Sequence, residues 1–284
     1  MLECVVNVTA GAGPVLDALA EACGDALLDR HADRDHDRSV FTLAGLDDHD
    51  AEAAALALAD AAARQLDLAT RPPGVHPRLG IVDVVPFVAW DQPAATAVAA
   101  ARRAGAHLAE TLGVPVFFYG DADPEGRSLP SVRREAFAVR APDVGPARPH
   151  PHLGAAAVGA RAPLVAVNCW LDRDDLAVAR AVATEVRERD GGLPGVRALG
   201  LRLASRGVTQ VSMNVTDLGA TGVEAACEAV RRRVEGRGAA LRGVEWVGLV
   251  PAAEWARCSP AFRAWSGLDQ SRTVEARLAG AGRP

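Results

Sequence analysis

Lysine is absent: all 31 basic residues of this 284-residue chain are arginine. The absence excludes a Schiff base to a carbonyl substrate or to pyridoxal phosphate, and it excludes a Walker-type phosphate loop, which depends on its lysine. Arginine does not exchange protons near neutral pH, so an acid or base must come from His, Cys, Asp, Glu or the single tyrosine, Tyr119. Excess positive charge is missing too. The formal net charge is −5, which leaves no summed basic field for nucleic acid or anionic lipid, and an anionic ligand must be held by local groups. No CxxC or Cys/His metal pattern occurs. Cys4, Cys23, Cys169, Cys227 and Cys258 are odd in number, far apart and set mostly among apolar residues, as reduced buried thiols are. No apolar run approaches a membrane span and the chain opens directly on a strand-like segment, so a cytoplasmic protein without leader or anchor is expected.

What is present is a hydrophobic fraction of 49%, enough for one large core or two smaller ones. Residues 2–8 read as a strand, Pro14 to Cys23 as a helix closed by Gly24, and 26–30 and 39–45 as two strands. An Ala-rich helix runs from near Asp50 to about Leu68, followed by a very hydrophobic strand at 80–89, a helix at about 93–112 led by Pro93, and a strand at 114–119. From Gly120 to His152 six prolines fall with little periodicity, the mark of loops, a linker or a ligand-covering segment. The earlier order then returns, with strands at 163–170, 196–203, 208–215 and 244–250 and helices at 174–189 and 218–235, the second capped by Asp217. Helical signals near 252–265 are expected to cover an edge. The repeated order is the split βαβ of ferredoxin-like folds. The expectation is an α+β protein, a duplicated ferredoxin-like (βαββαβ) sandwich with subdomains at 1–155 and 156–284 whose sheets face a ligand cleft.

Several segments carry candidate chemistry. Gly74-Val75-His76-Pro77-Arg78-Leu79-Gly80 is a tight loop leading into a hydrophobic strand, and His76 is the group best suited to exchange protons at cellular pH. A surface histidine bonded to nearby backbone fits the same spacing. Asn7-Val8-Thr9-Ala10-Gly11-Ala12-Gly13 joins a strand to a helix, where amides can meet an anion; Leu16 breaks the dinucleotide fingerprint. The stretch 30–38 (RHADRDHDR) mixes His and Asp as a metal site would, but alternating charge between two strands reads better as a solvated connection, with only Arg38 placed to reach a pocket. Gln210, Ser212 and Asn214 share one strand face, opposite Val211 and Met213. The segment 145–154 (GPARPHPHLG) suits a loop closing over a flat ligand, or a plain linker.

Together, ECVVNVTAG (3–11), GVHPRLGIVDVVPF (74–87), VPVFFYG (114–120), 145–154 with GAR at 159–161, and QVSMN (210–214) resemble the formiminotransferase family in order and spacing over about residues 2–251. The motif HPR-x-G-x-x-D-x-x-PF is the most specific element of the likeness. The resemblance implies a duplicated ferredoxin-like pair, usually dimeric, with tetrahydrofolate in a cleft between the sheets. It implies that His76 stands at the catalytic histidine position and that 145–154, with Gly145, Pro146, His152, Leu153 and Gly154, contacts folate. It further implies that the cyclodeaminase domain of the bifunctional animal enzymes is not part of this chain. The sequence departs from the family at Ala10, where a carboxylate is usual, at His31, where an aspartate neighbours the histidine, at Leu153, usually Trp, and at Trp170, usually Asn.

The implied reaction moves a formimino group from N-formimino-L-glutamate to tetrahydrofolate, with His76 as general acid/base. Arg38, Arg78 and Arg161 are the expected partners of substrate carboxylates. Asn7, Asn168, Ser212 and Asn214 are expected on the pterin or the amidine, with Thr9, Gly11, His31 and Gln210 completing the site. No metal, nucleic acid or membrane partner is expected. A folate-dependent transferase with another formimino or formyl donor, and a folate-binding protein without catalysis, are the alternatives.

Overall fold

The computed structural model describes residues 1–45, 47–72 and 76–281, so Gly74 and Val75 at the head of the HPR motif lie outside the described residues. The chain divides into two compact units, the first ending at Arg161 and the second beginning at Ala162.

The first unit contains β1 (Leu2–Val8), α1 (Val15–Cys23), β2 (Leu27–Asp33), β3 (Arg38–Ala44), α2 (Asp48–Gln65), β4 (Val82–Ala89), α3 (Ala94–Leu112), β5 (Val116–Gly120), α4 (Leu129–Glu135) and β6 (Ala156–Ala160). Alternation decides the faces. Leu2, Cys4, Val6 and Val8 of β1 and Phe41 and Leu43 of β3 are buried with Leu16, Leu19, Leu58 and Leu108 of the three long helices. Each large side chain so buried contributes about 1.5–3 kcal/mol. The intervening residues, Asn7 of β1 and Arg38 of β3 among them, face the other way. Local signals fix the helix ends: Gly24 closes α1, Asp47 and Asp50 form a capping box on α2, and α3 runs from Pro93 to a left-handed Gly113 at φ 65°.

The six strands lie in the order β2-β3-β1-β4-β6-β5, antiparallel except that β6 is parallel to both β4 and β5. Two elements differ from the sequence expectation. The proline-rich stretch holds α4, capped by Ser128 with Pro130 in its first turn, where proline costs no hydrogen bond. Its Val132 packs on the non-helical face of the sheet with Val84, Phe117 and Tyr119. The segment AAVGA forms β6, a strand buried on both faces whose small residues carry no alternation to read. Because β6 joins β4 to β5, the first unit continues through Arg161.

The second unit contains β7 (Val165–Leu171), α5 (Leu176–Val186), β8 (Val196–Leu203), β9 (Val208–Val215), α6 (Val223–Glu235), β10 (Leu241–Val247), α7 (Ala252–Arg257), α8 (Pro260–Ser266) and α9 (Val274–Ala281). Its sheet, β10-β7-β9-β8, is antiparallel throughout. Val167, Cys169, Val211 and Met213 pack under Val182 of α5 and Val230 of α6. Asp217 does not cap α6. That helix starts at Val223 after Gly222, and Asp217 instead accepts from the Gly219 and Ala220 amides at 3.0 Å each, forming a turn before it. The α8 helix packs on the edge strand β10, where Trp246 Nε1 donates to the Ser266 carbonyl at 2.9 Å. The chain is thus α+β with two sheets, and among the described residues no helix is long and apolar enough to cross a membrane.

Candidate functional site

Strand β4 is apolar except for Asp83, whose side chain is 1% exposed. A buried carboxylate needs partners. Oδ1 accepts from the Leu79 amide at 2.7 Å, while Oδ2 accepts from Arg38 Nη1 at 2.9 Å and from Arg133 of α4. Arg38 is fixed from a second side by Asn7, whose Oδ1 accepts from Nε at 3.0 Å and Nη2 at 2.6 Å. Adjacent strands and shared parity bring these residues together, since Asn7 of β1 pairs with Val40, two residues along β3 from Arg38. With its plane set on both sides, the guanidinium presents Nη1 to His76 Nδ1 at 3.2 Å.

His76 Nδ1 also lies 2.9 Å from the Pro77 carbonyl oxygen. It therefore has a partner in either neutral tautomer: protonated, it donates to Pro77; unprotonated, it accepts from Arg38. In the first case Nε2 is a free acceptor, and in the second it is a donor. Burial, reinforced by the positive charges of Arg38 and Arg133, holds His76 well below the ordinary histidine range, so the ring is neutral at neutral pH. The ring of His36 stands edge-on to it at 6.0 Å. Two guanidinium groups share Asp83 Oδ2, which leaves the cluster with an excess of positive charge.

Other proton-carrying candidates drop out. Tyr119 is buried beside Arg161 and its phenol is pushed up to about 12, so it stays protonated. Burial pushes the Cys23 thiol to about 12 and Cys258 to about 11, and it raises Cys4. All five cysteines are buried and free.

The stretch 30–38 is not the solvated connection its charge pattern suggests. Asp33, His36 and Asp37 are only 4%, 9% and 5% exposed. Partners both within the turn and from distant segments make that burial tolerable. Asp33 Oδ1 accepts from the His36 amide at 2.9 Å, and Asp37 accepts from the Gly11 amide at 3.1 Å, Arg71 Nε at 3.0 Å and Arg78 Nη1 at 3.1 Å. Burial, which raises a carboxyl, is outweighed by Arg71, the Gly11 amide and Arg78, and Asp37 stays below the usual carboxylate range. The Gly11 amide thus meets an anion, and it is the chain's own carboxylate. Among the described residues no group of three or more His, Cys, Asp or Glu is arranged to hold a metal ion.

Most of the remaining candidates of this unit lie about the entry to β4, whereas Arg161 lies at its far end, its amide donating to the Phe87 carbonyl at 3.1 Å. Thr9 Oγ1 donates to the Gly80 carbonyl at 2.7 Å. Arg78 is occupied by Asp37 and by the Pro72 carbonyl, to which Nη2 donates at 2.6 Å. The segment 145–154 begins exposed at Gly145 and Pro146 and ends fastened to the strand entry: Leu153 accepts from the Ile81 amide at 2.9 Å, and Gly154 pairs with Gly80. Gly154 has φ 74°, and a Cβ there would collide with the Leu79 carbonyl oxygen. Leu153 packs into the helix-side core, and His152 Nδ1 lies 2.9 Å from Asp67. His31 pairs with Val40 and so shares the face of Arg38, while Ala10 is fully buried. Arg161 closes the unit beside Tyr119.

In the second unit the non-helical sheet face carries Asn168, Trp170, Gln210, Ser212 and Asn214. Asn168 Nδ2 donates to Glu245 at 2.8 Å, Trp170 Nε1 donates to Gln210 Oε1 at 3.1 Å, and Arg206 lies 5.2 Å from the Trp170 ring centre while donating to Glu245 at 3.2 Å. Gln210 is buried, Ser212 half-buried and Asn214 exposed. Sequence reasoning missed Arg133, Asp37 and the role of Asp83. Only Asp83 carried a signal, a lone charge in an otherwise apolar strand.

Known proteins match the chain along both units. Residues 1–161 match the N-terminal subdomain of the formiminotransferase domain, and residues 166–263 match the formiminotransferase domain. A glutamate formimidoyltransferase of Streptococcus pyogenes serotype M1 is 35% identical over 269 residues, 89% of each chain. One of Thermoplasma acidophilum is 32% identical over 297 residues, 98% of this chain and 97% of the other. The formimidoyltransferase-cyclodeaminase of Sus scrofa is 35% identical over 88% of this chain, which spans 50% of that longer protein. With the match running through both units and the HPR motif standing at the paired Arg38 and Asp83, the chain belongs to the formiminotransferase family and is a transferase.

Proposed function

We propose that the protein transfers a formimino group from N-formimino-L-glutamate to tetrahydrofolate, with His76 as general acid/base. The observation that carries the reading is a neutral His76 ring standing against Arg38, with the excess positive charge of Arg38 and Arg133 around Asp83. The residues present fit such ligands. Positive charge answers the donor's carboxylates.

Tetrahydrofolate supplies the nucleophile, a secondary amine that bonds to the amidine carbon as the bond from that carbon to the glutamate nitrogen breaks. His76 moves the proton that this exchange displaces. With Nδ1–H directed to Pro77, Nε2 takes the proton of the attacking amine; the imidazolium returns a proton to the glutamate nitrogen so that it leaves as an amine. The depressed basicity of His76 favours the second step, because a more acidic imidazolium gives its proton up more readily. The Pro77 carbonyl fixes the ring in this tautomer, Arg38 stands beside it as a positive charge that opposes its protonation, and Arg161 is the further carboxylate partner. Asn7 acts on the site by fixing Arg38.

The same reading takes both units as ferredoxin-like, since β4-β1-β3-β2 and β10-β7-β9-β8 share one order of fourth, first, third and second strand. It takes the protein as a cytoplasmic homodimer of histidine degradation. Tetrahydrofolate-dependent consumption of formiminoglutamate tests the reaction. His76→Ala is expected to lower kcat by about 10²–10⁴-fold, and unchanged turnover in that variant would remove His76 from the mechanism. A second reading, a different formimino or formyl donor, draws support from Trp170 and His31, which put an indole and an imidazole where the family has an amide and a carboxylate. Turnover with another donor and none with formiminoglutamate would select it, and folate binding without any turnover would point to a non-catalytic protein.

A further inference from the structure

The turn joining β2 to β3 ends on Asp37 at φ 46°, a left-handed conformation that residues other than glycine adopt at some cost. The corresponding turn of the second unit, between β8 and β9, ends on Gly207 at φ 61°, where no side chain is at stake. A carboxylate kept where glycine suits the backbone better points to work done by the side chain.

That carboxylate is bonded by three residues from distant segments. Arg71 precedes His76 and Arg78 follows it, and both donate to Asp37; the Gly11 amide, from the loop after β1, donates to the same group. Arg78 in turn donates to the Pro72 carbonyl, so the two flanks of the histidine segment are tied to each other as well as to the turn. Asp37 is next in sequence to Arg38, whose Nη1 faces His76 Nδ1. One residue thus joins the backbone that carries Arg38 to both flanks of the segment that carries His76.

We propose that Asp37 is a positioning residue: by strapping Arg71 and Arg78 to the turn before Arg38, it sets where the His76 ring stands against the Arg38 guanidinium. The inference rests on the reading of His76 as the acid/base. An error of about 1 Å in such a ring costs on the order of 10²-fold in rate, and charge-assisted bonds from two arginines are well suited to prevent it.

Asp37→Gly and Asp37→Asn test it, because both fit a left-handed turn and both remove the charge. Formiminoglutamate turnover is measured with each, alongside His76→Ala, and the His76 ring is titrated by NMR. The charged and titratable groups facing the ring are Arg38 from β3, Arg133 from α4, His36 from the turn and Asp83 from β4. The expected result is a fall in kcat of about 10–100-fold with KM within about threefold, and a His76 titration moved up as the ring leaves Arg38 and gains water. Arg71→Gln should give a smaller change in the same sense. A kcat within twofold of the parent in Asp37→Gly overturns the proposal. So does a loss of kcat with the His76 titration unmoved, or a loss confined to KM. Active His76→Ala would instead sink the reading on which the inference rests, a different outcome from any of these.

Discussion

The two units share a strand order, yet their non-helical sheet faces carry different chemistry. In the first unit the face is organised by an ion cluster around a buried carboxylate, with Arg38, Arg133 and His76 about Asp83. In the second it is organised mainly by hydrogen bonds, Trp170 to Gln210 and Asn168 to Glu245, with an ion pair of Arg206 and Glu245. Strand order does not account for the difference. The connections do: between α2 and β4 the chain runs from 66 to 81 and brings His76, whereas between α6 and β10 it runs only from 236 to 240 and brings no titratable group except Arg237. The lesson is that the sheet provides a platform of fixed parity, and the connection entering its fourth strand decides whether a histidine stands on it.

The largest effect that would break this comparison is removal of the buried carboxylate. Asp83→Ala leaves Arg38 and Arg133 without their shared acceptor, and a chemical-denaturation curve should show a loss of about 3–5 kcal/mol. No substitution on the second unit's face is expected to match it. Next comes Gly154→Ala, which forces a Cβ into a left-handed site against the Leu79 carbonyl; a loss of about 1–3 kcal/mol is expected in the same measurement, because backbone strain adds to the clash. A smaller effect concerns pH. The unfolded chain binds a proton at His76 near ~6.5, whereas the folded ring resists it. Between those two points the unfolded state holds more protons, so stability falls as pH drops through the ordinary histidine range, and this contribution vanishes above it. His76→Gln should flatten the acid side of the stability profile. Arg133→Gln removes one of the charges opposing protonation and should raise the His76 titration seen by NMR; no change would mean that burial and Arg38 set it alone.

How much of this was legible in the sequence follows from how each element is stabilised. β1, β8 and β9 announce themselves by alternation, and α1 by Leu16, Leu19 and Cys23 with Gly24 as a stop, because a single amphipathic face writes itself into local order. β6 does not, since a strand buried on both faces in a parallel pairing needs only small residues. α4 hid among prolines that also read as loop. At the site, His76, Arg38 and Asn7 were readable from the motif and from their place at strand ends. Arg133 was not, because its partner lies fifty residues away and nothing local marks it. Asp37 read as solvated charge for the same reason: its burial depends on Arg71, Arg78 and Gly11, none of them its neighbours.

The finest test of the comparison lies on the second unit's face. If that face is held by separate hydrogen bonds rather than by one charged hub, trimming a single bond should have a small, local cost. Trp170→Phe keeps an aromatic ring for Arg206, whose guanidinium carbon lies 5.2 Å from the ring centre, and removes the Nε1–H that donates to Gln210 at 3.1 Å together with part of the fused ring. Gln210 is fully buried, so the lost donor should cost about 1 kcal/mol. The face carries no His76, so stability should drop while the His76 titration stays where it is, unlike the pattern expected at Asp37. A loss in Trp170→Phe as large as in Asp83→Ala would mean that the second face also hangs on one hub, with the indole as its centre.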